Sequence, residues 1–286
     1  MKIRFVVPAL AAAAALTLTG CVNDDSAVKE SSSTSKSVVT AEQIKESGVL
    51  IIGTDAEYPP NEFKDADGNP TGWGVELANA VAEEMGLKPE WQIMPFEGIL
   101  PRIEEGAINM GSSSFTDNAE RQKTVDFVNF LNAGSMWAAP VGSTVNPDDA
   151  CGLTIAVQSD TVQHTDELPA KSKACEDAGK APINILPFGG QPEATTAVIQ
   201  GQAAAFSADF PVTVDAVNNT DGALETVGEM FDAAPYGFAV QKGSGMDKAV
   251  QTALQALIDN GTYLEILTKA GFEKGAVTEA TINAGK

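Results

Sequence analysis

Apolar positions along this chain fall into two periodicities. Val49-Leu50-Ile51-Ile52-Gly53 is a continuous apolar run with β-branched residues, the pattern of a strand buried on both faces. A polar stretch from Thr54 to Trp73 follows and reads as a loop. Leu77, Val81 and Met85, with Ala78 and Ala82 beside them, then mark one helix face that stops at Gly86. Glu90–Met94 predicts a strand, Ile99, Leu100 and Ile103 a helix ended by Gly106, and Ala107–Met110 a further strand. The second half repeats that order. Thr154–Gln158 reads as a strand, a polar turn leads into a helix carrying Cys175, and Ile183–Leu186 is the next strand. A helix begins near Pro192 and stops at Gly201, before a strand at Ala203–Phe206.

Strand, helix, strand, helix and strand occurring twice predict an α/β chain of two lobes, each a mainly parallel sheet flanked by helices. Polar loops at the strands' carboxyl ends would face each other across a cleft, where open α/β sheets bind ligands. Two helical stretches ending at Gly261 and Gly271 have no lobe of their own to complete, so the chain is expected to cross back to the first.

The ends and the charge refine this picture. Lys2 and Arg4 precede an apolar run from Phe5 to Leu18 and the sequence Leu18-Thr19-Gly20-Cys21, which reads as a signal peptide over residues 1–20 and is too short for a comfortable membrane span. The small residues before the cysteine resemble the lipobox of bacterial lipoproteins, which implies a lipid on Cys21; a plain secretory signal is the alternative. Residues 21–43 are rich in Ser, Thr and charge and read as a flexible tether, reaching roughly 25 Å as a coil. About 240 residues remain, enough for one large or two moderate domains. The formal net charge of −21 argues against a nucleic-acid partner and otherwise only permits a cationic ligand. In an oxidising compartment Cys151 and Cys175 are expected to form a disulfide, with two buried thiols as the alternative. One histidine, His164, offers no metal site, and no cofactor is expected.

Candidate chemistry centres on Gly111-Ser112-Ser113-Ser114-Phe115-Thr116, running on to Arg121. Hydroxyls and backbone N–H groups at a strand's end can surround an anion, and an arginine fork can take both carboxylate oxygens. The bland alternative is a Ser/Thr turn capping a helix, with Arg121 on a solvated face.

Taken together, the motif order resembles the solute-binding proteins of polar amino-acid ABC importers, over roughly residues 47–275. The resemblance rests on Gly53-Thr54-Asp55 with Tyr58-Pro59-Pro60, Gly72-Trp73-Gly74-Val75-Glu76-Leu77, Ser114-Phe115-Thr116-Asp117 with Arg121, Val157–Thr161, Gly201–Asp209 and Tyr236–Val240. It implies a two-lobed fold of the type II periplasmic-binding-protein kind, with lobe 1 at 44–134 plus 237–286, lobe 2 at 135–236, and hinges near Ala133–Met136 and Ala234–Gly237. It further implies that Arg121 holds an amino acid's α-carboxylate, helped by Ser112, Ser114 or their backbone amides, that Thr116 also lines the ligand site, and that Asp209 holds the α-ammonium. Trp73 and Tyr58 would meet the side chain, with simple core packing as the alternative for each, Asp55 would add a carboxylate at the rim, and Thr161 and Val162 would complete the second-lobe face. Four departures stand out: Gly74 replaces the usual Asp, Asn61 replaces a common aromatic, the turn before Arg121 is two residues longer than usual, and Asp160-Thr161-Val162 replaces Gly-Thr and a hydroxyl residue, leaving backbone amides there.

The expected function is capture of a free amino acid, with a polar or basic side chain favoured, by hinge closure and delivery to an ABC permease and its ATPase, the protein acting as a monomer anchored outside the cytoplasm. An enzyme on the same scaffold, of the cyclohexadienyl-dehydratase type, is one alternative; Glu57, Glu97 and Asp209 would be its acid–base candidates, but they form no recognisable catalytic pair. A ligand-sensing module is the other.

Overall fold

The computed structural model describes residues 38–286; the signal peptide, Cys21 and the tether up to residue 37 lie outside the described residues. Helix α1 (Ala41–Ser47) begins inside the stretch expected as tether, because Thr40 and Gln43 form a reciprocal capping box. The first half continues with β1 (Val49–Thr54), the short strands β2 (Glu57–Tyr58), β3 (Glu62–Lys64) and β4 (Pro70–Thr71), α2 (Trp73–Glu84), β5 (Lys88–Ile93), α3 (Phe96–Glu104) and β6 (Met110–Gly111). A single 3-10 turn at Arg121–Lys123 leads into β7 (Val125–Pro140). There follow β8 (Thr154–Gln158), a π-helical turn at Gln163–Glu167 running into α4 (Leu168–Asp177), β9 (Asn184–Phe188), α5 (Gln191–Ile199), β10 (Ala205–Asp209) and α6 (Phe210–Asn218). The chain returns through β11 (Leu224–Gln241), α7 (Met246–Asp259), α8 (Thr262–Ala270) and β12 (Ala276–Ile282).

Strands pair in the order β5-β1-β6-β11-β7-β10-β8-β9, with β12 alongside β7. Parallel trios sit at both ends, β5-β1-β6 and β10-β8-β9, as the repeated pattern predicts. Between them run β7 and β11, two long antiparallel strands that the apolar pattern did not separate from their surroundings. The positions expected as hinges fall inside these strands, where the pairing shifts register around Phe231, Ala234 and Tyr236. The stretch expected as a plain loop between β1 and α2 forms its own three-stranded sheet, β2-β3-β4.

Helices α7 and α8 do cross back. Leu254, Leu257, Tyr263 and Leu267 share one core with Leu50, Ile52, Leu77 and Val81. The other face of that trio is closed by α3, whose Phe96, Ile99 and Ile103 pack on Phe115 and Phe127. Around the second trio, α5 and α6 cover one face through Ala194, Val198 and Val212, and α4 covers the other through Leu168 and Cys175. Cys175 is disulfide-bonded to Cys151, as expected.

Candidate functional site

Carboxyl ends of β1, β6, β8 and β10 meet at one cavity of about 260 Å³, its open mouth included, lined by Asp55, Tyr58, Phe96, Ser113, Ser114, Thr116, Arg121, Gln158, Thr161, Val162, Gln163 and Asp209. Eight of the expected residues are therefore brought together: Arg121, Asp209, Ser114, Thr116, Tyr58, Asp55, Thr161 and Val162.

Arg121 reaches the cavity despite its longer turn. Asn118 Oδ1 accepts from the Arg121 N–H at 2.9 Å and starts the 3-10 turn. The guanidinium then lies 5.6 Å from the ring centres of both Phe96 and Phe115. Its Nη1 donates to Thr116 O at 2.9 Å and its Nη2 to Asp160 O at 3.0 Å, so it spans the cavity from one parallel trio to the other. Burial pushes its pKa down to about 10, which leaves it cationic at neutral pH. A guanidinium has five N–H donors, so three remain for a ligand. Thr161 and Val162 stand at the start of the helix opposite, where first-turn N–H groups have no partner within the helix.

Asp209 ends β10 and precedes Pro211 in the first turn of α6. Its Oδ1 accepts from Gln163 Nε2 at 2.7 Å, and its own N–H donates to the Tyr58 hydroxyl at 3.1 Å. Tyr236 also faces the carboxylate, its buried hydroxyl in no hydrogen bond of ordinary geometry. Burial raises the Asp209 pKa, opposed by these hydrogen-bonding groups and by Arg121. Asp55 is held at both oxygens: Ser113 Oγ donates to Oδ1 and Gln158 Nε2 to Oδ2, each at 2.7 Å. Burial raises its pKa too.

The hydroxyls of the serine cluster are largely engaged within the protein. Ser114 Oγ donates to the Glu62 carboxylate at 2.9 Å and accepts from Asn61 Nδ2 at 2.9 Å, so its proton is already committed to an acid. Ser113 is likewise bound to Asp55. Ser112 lies outside the lining: its N–H donates to Gly53 O at 2.9 Å, and its hydroxyl is buried without a partner. Trp73 is outside as well. Its indole N–H donates to Asn61 Oδ1 at 2.7 Å and its ring packs on Phe130 and Phe272, so the aromatic expected at the ligand belongs to the core instead.

Glu62 explains the Gly74 departure. A Cβ on Gly74 would sit 2.2 Å from Glu62 Oε1, so the carboxylate of β3 fills the space that a side chain at 74 would need. Glu62 is fully buried, and that burial raises its pKa to about 8, with the charges of Asp55 and Asp209 adding to the shift and the Ser114 hydrogen bond opposing it.

Three lining residues were not foreseen, Phe96, Gln158 and Gln163, whereas Ser113 belongs to the serine cluster already singled out. Gln158 was legible in principle, being the last residue of a recognised strand, where lining side chains are expected. Gln163 lies one residue past the foreseen Thr161 and Val162, and nothing in local composition distinguishes it. His164 accepts from the Asp160 N–H at Nδ1 and so braces the turn beneath Arg121.

A fold with parallel trios at both ends of two crossing strands, and a charged cavity at their carboxyl ends, defines a solute-binding architecture. The chain belongs to the bacterial extracellular solute-binding proteins, family 3, whose profile matches residues 50–273. It is 43% identical to the arginine-binding protein ArgT of Corynebacterium glutamicum over 85% of this chain and 80% of that protein. Among solved structures it resembles an ancestral arginine-binding protein bound to arginine, with a TM-score of 0.71 and 32% identity over 78% of this chain and 97% of that one. A second similar structure is the ancestral amino acid-binding protein AncCDT-1, a precursor of cyclohexadienyl dehydratase, at TM-score 0.69 and 29% identity over 80% of this chain and 97% of that one. The fold is the type II periplasmic-binding-protein fold.

Proposed function

We propose that this protein captures free arginine, or a closely related basic amino acid, and presents it to an ABC permease and its ATPase. The observation that carries the reading is the charge balance of the cavity, in which one guanidinium faces Asp55 and Asp209, with Glu62 behind Ser114. Arg121 and the helix start at Thr161–Val162 match an α-carboxylate, and Asp209 matches an α-ammonium. Once those two are paired, Asp55 stays uncompensated, with Glu62 able to give up its proton behind Ser114, and a buried carboxylate calls for a cation. A basic side chain supplies it. The similarity to proteins named for arginine binding supports the same class of ligand.

In this reading residues 44–134 plus 237–286 and residues 135–236 are two lobes that close about β7 and β11. Binding rather than catalysis is the role assigned to the site, which the relatives named as arginine-binding proteins support. A lipid on Cys21 would keep the protein beside its permease, and Cys21→Ser should release it from the membrane fraction.

Calorimetry with arginine and with citrulline, its neutral isostere, tests the ligand assignment. Arginine should bind at least tenfold tighter, about 1.4 kcal/mol. Equal or tighter binding of citrulline would show that the cavity does not select a side-chain charge.

A further inference from the structure

The turn that carries Arg121 is held from the far end of the sequence. Strand β12 pairs with β7 at Leu131, Asn129 and Val128, and the residues after it continue along that edge. The Asn283 N–H donates to Phe127 O at 3.0 Å, and Asn283 Oδ1 accepts from the Phe127 N–H at 2.8 Å. The Ala284 N–H donates to Asn129 Oδ1 at 3.1 Å, and the Gly285 N–H to Asp117 Oδ2 at 2.9 Å.

Asp117 is where these lines converge. Its carboxylate is 1% exposed and accepts from three separate segments: Gln122 Nε2 on the turn at 2.7 Å, Asn129 Nδ2 on β7 at 2.9 Å, and the Gly285 N–H. Gln122 Nε2 also donates to Gly285 O at 3.0 Å, so one amide group ties the turn to both the acid and residue 285. Only glycine fits there, since a Cβ on Gly285 would lie 1.9 Å from Asp117 O. Gln122 adjoins Arg121 in sequence, and the peptide carbonyl that receives the guanidinium, Thr116 O, adjoins Asp117. Both ends of the path that aims the guanidinium are thereby fixed to the same buried carboxylate.

We propose that residues 281–285 form a strap that positions Arg121, acting through Asp117 and Gln122. A turn lengthened by two residues gains freedom in backbone and side chain, and a charged fork must be placed to within about 1 Å to be effective. The strap removes that freedom without touching the ligand. Its residues are positioning residues, and their effect is confined to whatever group Arg121 holds.

The inference rests on the reading that Arg121 binds an amino acid's carboxylate, and the test separates the two. Full-length chains carrying Gly285→Ala or Gln122→Leu are compared with the unaltered protein by calorimetry, using arginine and arginine amide, which lacks the carboxylate. Gln122→Leu keeps the side chain's bulk while removing both donations, so it retains a folded chain if Gly285→Ala does not; circular dichroism verifies this. Each folded variant should lose at least tenfold in affinity for arginine and less than twofold for arginine amide. Equal losses for both ligands would mean a general structural role, and unchanged arginine binding would mean the turn holds its own aim; either overturns the strap. If the unaltered chain binds neither ligand, the underlying reading fails and takes the strap with it.

Discussion

Single residues carry the cavity's chemistry, and Arg121 and Glu62 pull it in opposite directions. Arg121→Ala should weaken arginine binding by about 3 kcal/mol, because the ligand carboxylate would be buried opposite two dipolar surfaces with no charge to meet it. Calorimetry of the variant measures this directly. Glu62 makes a pH prediction whose sign follows from its burial. Its folded pKa near 8 lies above its ordinary 4.5, so the folded chain holds the proton more tightly than the unfolded chain between those limits. Its contribution therefore destabilises the fold progressively as pH rises from about 4.5 to about 8, and Glu62→Gln should flatten that slope in melting curves taken across the range. A bound cation reverses the preference and drives the proton off. Arginine affinity should rise between pH 6 and pH 8.5, and proton release should appear as a dependence of the binding heat on buffer ionisation enthalpy. At this scale the sequence was a partial guide. Arg121, Asp209, Asp55 and Tyr58 could be placed from motif positions, but Trp73 could not, because its indole N–H finds Asn61 across a turn whose shape depends on Glu62 fitting against Gly74. Contacts between two loops are set by three-dimensional packing, which a one-dimensional pattern does not encode.

Elements with a strong period were legible; those defined by partners were not. Strand β1 and helices α2, α7 and α8 announced themselves because their apolar residues face one contiguous core. The sheet β2-β3-β4 was read as loop since its strands of two or three residues offer no alternation to detect. Strand β12 was missed because only its Ala280 is fully buried and its pairing partner, β7, is about 150 residues away. The disulfide was readable from compartment and cysteine number alone. It joins the turn before β8 to helix α4, closing a separation of 24 residues, and in the chain-entropy model such a loop is worth about 3.5 kcal/mol. Urea unfolding with and without reductant should differ by that amount, while Cys151→Ala with Cys175→Ala should show no further change on reduction.

At the scale of the whole molecule, β7 and β11 make the two parallel trios into one sheet, and contacts between the trios already cross the cavity: Gln158 to Asp55, Asp209 to Tyr58 and Arg121 to Asp160. Gly134 and Gly237 sit where these strands approach closely, and a Cβ at 134 would come within 2.5 Å of Phe231 O. Gly134→Ala should therefore disturb the crossing itself, lowering the melting temperature and changing the affinities for arginine and arginine amide by similar factors, unlike the strap variants. The return of the chain to its first trio has a consequence in time. Leu50, Ile52 and Leu77 complete their core only with Leu254, Leu267 and Ala280, so during synthesis that core waits for α7, α8 and β12 to emerge. The second trio is under no such delay, because its two cores draw, Tyr58 apart, on residues 137–224, so the half of the protein made later is the first able to fold.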